Sequence, residues 1–137
     1  MRRTIEVSVE KASEKNYWCS MLEDVENCHV HGAGNSVRAA IESLYSGLKE
    51  VEVDLKAEGK EMPDLDFNFK MDVGSFFNYY PINVTAFAKF IGMNASLLRQ
   101  YASGVKGPSA KSMAKIKAGL EQFKRDLNAD ILIVRPM

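Results

Sequence analysis

From residue 65 to 73 apolar and polar positions alternate without a break: Leu65, Phe67, Phe69, Met71 and Val73 against Asp66, Asn68, Lys70 and Asp72. A period of two is that of a strand with one buried and one wet face. The same alternation opens the chain, where Ile5, Val7 and Val9 oppose Glu6, Ser8 and Glu10, a strand over 4–10. A turn over 12–16 leads to a second strand over 17–22, which a short hairpin would pair antiparallel with the first. After an acidic turn, a short third strand is expected over 28–31, with Gly32, Ala33, Gly34 and Asn35 as a loop. Between this strand and the alternating run the period lengthens. Val37, Ala40, Ile41, Leu44, Leu48, Val51 and Leu55 recur at three and four residues behind Ser36, an N-cap residue. That is one amphipathic helix to about residue 57, stopped by Gly59. The order βββαβ describes a sheet with a helix laid across its apolar face.

Beyond residue 73 the pattern is helical. Ser75 is placed to cap a short helix carrying Phe76, Phe77 and Tyr79, which Pro81 ends. Val84, Phe87, Ala88 and Ile91 line one face of the next helix, and Gly92 breaks it where positive φ costs least. Asn94 caps another helix to about residue 103, with Leu98 and Tyr101 as its buried face and Gly104 at its end. Met113, Ile116, Leu120, Phe123 and Leu127 then mark a last helix from 109 to about 128. Lys111, Lys115, Lys117, Lys124 and Arg125 fall on its wet side, and Gly119 lies inside it with no assignable role. The tail, ILIVRPM, has strong β-propensity and is expected to form a strand that pairs with another strand, across a dimer interface. The expected fold is α+β: a βββαβ domain over 1–73, an all-α bundle over 74–128 and a C-terminal strand over 129–137.

Composition narrows the class. With 46% hydrophobic and 26% charged residues the 137-residue chain can bury a substantial core. No apolar run approaches the roughly 20 residues that span a bilayer, and the N-terminus alternates too soon for a signal peptide. A cytoplasmic protein is expected, with Cys19 and Cys28 reduced and serving as small strand hydrophobes. The net charge of zero hides a division. Residues 1–74 carry nine Lys or Arg against fifteen Asp or Glu, a net of −6, and residues 75–128 carry eight against two, a net of +6. The basic half suits a phosphate backbone and the acidic half a cationic partner.

Two short helices joined by a Gly-containing turn, the second with a polar outer face, make the helix-turn-helix pattern. Ala88, Gly92, Met93, Leu98, Tyr101, Gly104 and Pro108 stand where the Cro and phage-repressor type keeps its packing and turn residues, and the segment resembles that family. An αα-hairpin without a ligand is the plain alternative. In a DNA reader the second helix turns its first residues to the major groove. Ala95, Ser96 and Gln100 are then the base-reading candidates, since Gln matches N6 and N7 of adenine and Ala a thymine methyl. Asn94, Arg99, Lys106 and Lys111 are candidates for phosphate.

The run YWCSMLEDVENCHVHGAGNSVRAAIESL carries a second resemblance. Tyr17, Leu22, Glu23, Asp24, Cys28, Gly32, Ser36, Ala39, Ala40 and Ile41 follow the layout of the HicB antitoxin family over about residues 4–73. Glu23 and Asn27 depart from it, where Pro and Gly are usual. The resemblance implies a partial ribonuclease-H-like fold without catalysis that binds and blocks a small basic mRNA interferase, HicA. Glu23, Asp24, Glu26, His29 and His31 are the candidate toxin-facing residues. His29 and His31 also form an HxH pair that could hold a metal, although no third ligand has an obvious spacing. Ribonuclease H chemistry would need converging carboxylates, but Glu6, Glu10, Asp66 and Asp72 occupy ordinary wet-face positions. The expected function is a non-enzymatic antitoxin without cofactor, which also represses its own operon as a DNA-bound homodimer or higher even oligomer. The alternatives are a helix-turn-helix regulator whose front domain only dimerises or senses, and an interaction protein with no DNA role.

Overall fold

The computed structural model describes residues 2–135. Four strands, β1 (Arg3–Ser13), β2 (Asn16–Met21), β3 (His31–Gly34) and β4 (Leu65–Met71), form one sheet in the order β3-β2-β1-β4. The hairpins β1–β2 and β2–β3 are antiparallel, whereas β1 and β4 run parallel, with Ile5 opposite Phe67 and Val7 opposite Phe69. A parallel pair needs a crossover, and helix α1 (Val37–Ala57) supplies it, carrying the chain from the β3 edge to the far side of β1. Ser36 caps α1 by accepting from the Ala39 N–H at 3.1 Å. Ile5, Val7, Val9, Tyr17, Cys19 and Met21 from the sheet and Val37, Ala40 and Leu44 from α1 make the first core.

The third strand lies three residues later than the hydrophobic pattern suggests. Gly32 and Gly34, expected in a loop, pair with Cys19 and Tyr17. Their lack of side chains explains both the position and the missed signal. A Cβ on Gly32 would stand 2.6 Å from the Leu44 backbone nitrogen, and one on Gly34 2.7 Å from Ala39 Cβ. Helix α1 therefore rests directly on this edge of the sheet, which only glycine permits. Cys28 and Val30 are buried all the same, in the irregular segment that precedes the strand.

The helical half contains α2 (Val73–Tyr79), α3 (Val84–Ile91), α4 (Ala95–Ser103) and α5 (Ala110–Asp126). Val73, Phe87, Ala88, Leu98, Tyr101 and Ile116 form its core, with Phe77, Met113, Leu120 and Phe123 packed around them. Ser75 does not cap α2. Asp72 does, one residue past β4, and Ser75 is fully buried in the first turn instead. One Asp72 oxygen accepts from the Ser75 N–H at 2.7 Å and the other from the Lys11 N–H at 3.0 Å, so the cap also fastens α2 to β1. A second tie joins Asn78 of α2, whose side-chain oxygen accepts at 2.8 Å from the Val37 N–H, an otherwise orphaned donor in the first turn of α1.

Gly119 has a role after all. A Cβ there would stand 3.0 Å from Ile91 Cβ and closer still to its Cγ2, so the glycine is where α3 and α5 touch. The expected C-terminal strand is absent from the described residues. Ala129–Ile131 is a single 3-10 turn, and residues 132–135 have no regular structure. Ile131, Leu132, Ile133 and Val134 stay 73 to 96% exposed. High β-propensity does not make a strand when the chain brings no sheet edge to it.

Candidate nucleic-acid interface

The α3–α4 unit is built by local chemistry that its sequence spells out. Asn83 caps α3 by accepting from the Ala86 N–H at 2.8 Å. Gly92 ends it in the left-handed region at φ +71°, and the Met93 N–H reaches back to the Ala88 carbonyl at 2.8 Å. Asn94 starts α4, its side-chain oxygen accepting from the Leu97 N–H at 3.1 Å. Gly104 closes α4 at φ +81°. Leu98 and Tyr101 are buried beneath it, and the Tyr101 hydroxyl meets Ser112 Oγ of α5 at 3.1 Å. Burying a side chain the size of Leu98 stabilises by roughly 1.5–3 kcal/mol.

Two hydrogen bonds that stiffen the unit escape sequence reading. Lys115, one of the lysines assigned to the wet side of α5, donates at 2.8 Å to the Gly92 carbonyl and so braces the turn. Arg99 on α4 donates at 3.0 Å to Thr85 Oγ1 on α3. These partners lie 23 and 14 residues apart, beyond any local periodicity.

The predicted reading residues separate into two groups. Ser96, Arg99 and Gln100 are exposed on one side of α4, with Ser96 and Gln100 a turn apart. Lys106 and Lys111 are exposed beyond the end of that helix. Ala95 is half-buried against the second core, which leaves its methyl less open to a base than its place in the first turn suggests. Asn94 is exposed, but its side-chain oxygen is spent on the cap, so only its NH2 group is left to donate to a phosphate. Arg99 keeps most of its guanidinium donors free of Thr85.

Beside the sheet the acidic turn is tightly folded. Val25 and Cys28 bridge, with Asn27 at φ +65° between them. Glu23 pairs with Arg3 at 2.8 Å, Asp24 lies 3.3 Å from His29 Nδ1, and Glu26 is exposed. His29 and His31 flank buried Val30 and line one shallow depression with Ser43, Ser46 and Glu50 of α1. Among the described residues no three His, Cys, Asp or Glu side chains come together as a metal site would require.

Glu6, Glu10 and Asp66 are exposed on the sheet, while Asp72 has both oxygens on backbone N–H groups. Burial pushes the Cys19 thiol up to about 11 and raises Cys28 as well, as befits thiols that act as apolar packing. No described helix is long and apolar enough to cross a membrane. Comparison of the chain with protein-family models, with curated proteins and with solved structures finds no match.

Proposed function

We propose that the chain is a sequence-specific DNA-binding protein that reads the major groove with α4. One observation carries this: a helix capped by Asn94 and braced through Gly92 and Lys115 presents Ser96, Arg99 and Gln100 to solvent, with Lys106 and Lys111 alongside. In this reading Ser96 and Gln100 meet base edges, and Arg99, Lys106 and Lys111 meet phosphate. The resemblance of residues 4–73 to HicB antitoxins extends the proposal to a second partner. The acidic front domain binds and occludes a basic HicA-like mRNA interferase through Glu23, Asp24, Glu26, His29 and His31. The pair then represses its own operon as a dimer, and the chain itself carries out no catalysis.

Base reading and charge attraction fail differently. Gln100→Ala should cost about 1–3 kcal/mol at the operator and relax preference at one base pair per half-site. Lys106→Ala should weaken specific and random DNA alike, and flatten the dependence on log salt by about one unit, because one phosphate fewer is neutralised. Fluorescence anisotropy on the chain's own promoter measures both. Equal, sequence-blind losses would reduce Gln100 to a backbone role, and no promoter binding at low salt would end the DNA reading. The toxin reading is tested by co-expression with a small basic product of the neighbouring reading frame. The full chain should restore growth, and the double change Asp24→Lys, Glu26→Lys should not.

A further inference from the structure

Two apolar surfaces of this chain lie open together. One is a groove of about 360 Å³ between α3 and α5, walled by Ile82, Ala86, Phe90 and Phe123 and rimmed by Asp126. Phe90 is 47% exposed there although its ring meets Phe123 edge to face, with centroids 5.9 Å apart. The other is the tail, Ile131, Leu132, Ile133 and Val134, followed by Arg135. We infer that the groove receives the tail of a second copy of this chain, each copy placing residues 131–134 in the other's groove.

Three observations select that occupant. The tail springs from the rim of its own groove yet does not fill it. Past Asp126, the Asn128 side chain accepts from the Asp130 N–H at 2.9 Å and fixes a 3-10 turn, and residues 131–134 pack against neither core. Charge fits as well, because the basic Arg135 follows the apolar run and the acidic Asp126 rims the apolar groove. With a net charge of zero, two copies approach without overall repulsion. The exchange is also self-complementary, so it closes at two copies and covers both runs at once. None of the groove residues belongs to α4, so this pairing stands whether or not α4 reads DNA.

Sedimentation equilibrium on the full chain tests it with Ile133→Glu in the tail and Ala86→Glu in the groove, both at positions outside either core. The unchanged chain should be a dimer. Each variant alone spoils both halves of the exchange and should dissociate at concentrations at least tenfold higher. An equimolar mixture of the two should recover part of the dimer, since one intact tail still meets one intact groove.

Site-specific crosslinking adds the address. Isotope-labelled Ala86→Cys chain mixed with unlabelled Ile133→Cys chain should give a disulfide between labelled and unlabelled peptides, and Cys19 and Cys28 are buried away from it. A monomeric unchanged chain, dimers that tolerate both variants, or a mixture that recovers nothing would each overturn the inference. So would a chain carrying both cysteines that crosslinks only within itself. Loss of operator binding by a chain that still dimerises would count against the DNA reading alone.

Discussion

Replacing Gly119 by alanine sets two effects of known size against each other. Inside an exposed helix the change normally stabilises by about 1 kcal/mol, because glycine loses more backbone freedom on folding. Here the added methyl would meet Ile91, with Cβ to Cβ at 3.0 Å and Cγ2 nearer. Ile91 is β-branched and helical, which leaves it essentially one χ1 rotamer, so the methyl cannot swing clear. Overpacking of this kind costs about 1–3 kcal/mol. The clash outweighs propensity, and Gly119→Ala should destabilise by up to about 2 kcal/mol net. Truncating the obstacle should reverse the sign. An Ile91→Ala background removes Cγ2 but keeps the 3.0 Å Cβ approach, so there the same change should stabilise by less than about 1 kcal/mol, and the coupling between the sites should be about 1–2 kcal/mol. Urea unfolding followed by circular dichroism gives all four corners of the cycle, provided the m-values agree. If Gly119→Ala raised stability equally in both backgrounds, close packing of α3 on α5 would be refuted.

Gly32→Ala should cost about 3 kcal/mol, the upper end for overpacking, because its Cβ meets α1 backbone that no rotamer change can clear; thermal melting would show it. Asp72→Ala should cost about 1–3 kcal/mol by removing a helix cap and a strand tie together, and Asp72→Asn, which keeps one acceptor oxygen, should recover about half of that in chemical denaturation. Burial raises Cys19, Cys28, Tyr17 and Tyr45 alike, so stability should fall at alkaline pH, with Cys19 shifted furthest. Its folded pKa of about 11 lies above the unfolded value of 9.0, so its contribution is complete below pH 9 and is lost as pH rises toward 11. That amounts to about 3 kcal/mol across the window, and Cys19→Val should flatten the alkaline limb of a stability–pH curve, whereas an unchanged limb would contradict the assignment.

The amphipathic elements were legible because each repeats its own period. Strands β1, β2 and β4 and helices α1, α3, α4 and α5 fall within a few residues of their patterns, Ser36 and Asn94 cap as expected, and Asn83 and Ser109 cap as well. What escaped depends on neighbours far along the chain. Gly32 and Gly34 read as loop because glycine has no hydropathy to alternate, and only the nearness of α1 shows why they are strand. Asp72 looked like one more wet-face residue of β4, and Ser75 like the better cap. At the candidate interface, Gln100 and Ser96 rest on position alone and are exposed as that position implies, whereas the brace from Lys115 required α5 to be folded against the turn.

Asp72 alone separates the last residue of β4 from the first of α2, and its carboxylate is clasped from both sides. Helix α4, the proposed reading helix, packs on α2, and Asn78 pins α2 to the start of α1. A slack tether between two halves of a chain would let one half move independently of the other. This chain has no such slack. If two copies bind one operator as proposed, each α4 moves with its own sheet as one piece, and the spacing of the two helices is left to the contact between copies. Insertion of a base pair between half-sites, a rise of about 3.4 Å with the rotation that accompanies it, would then be taken up at that contact or in the DNA, and not inside either copy.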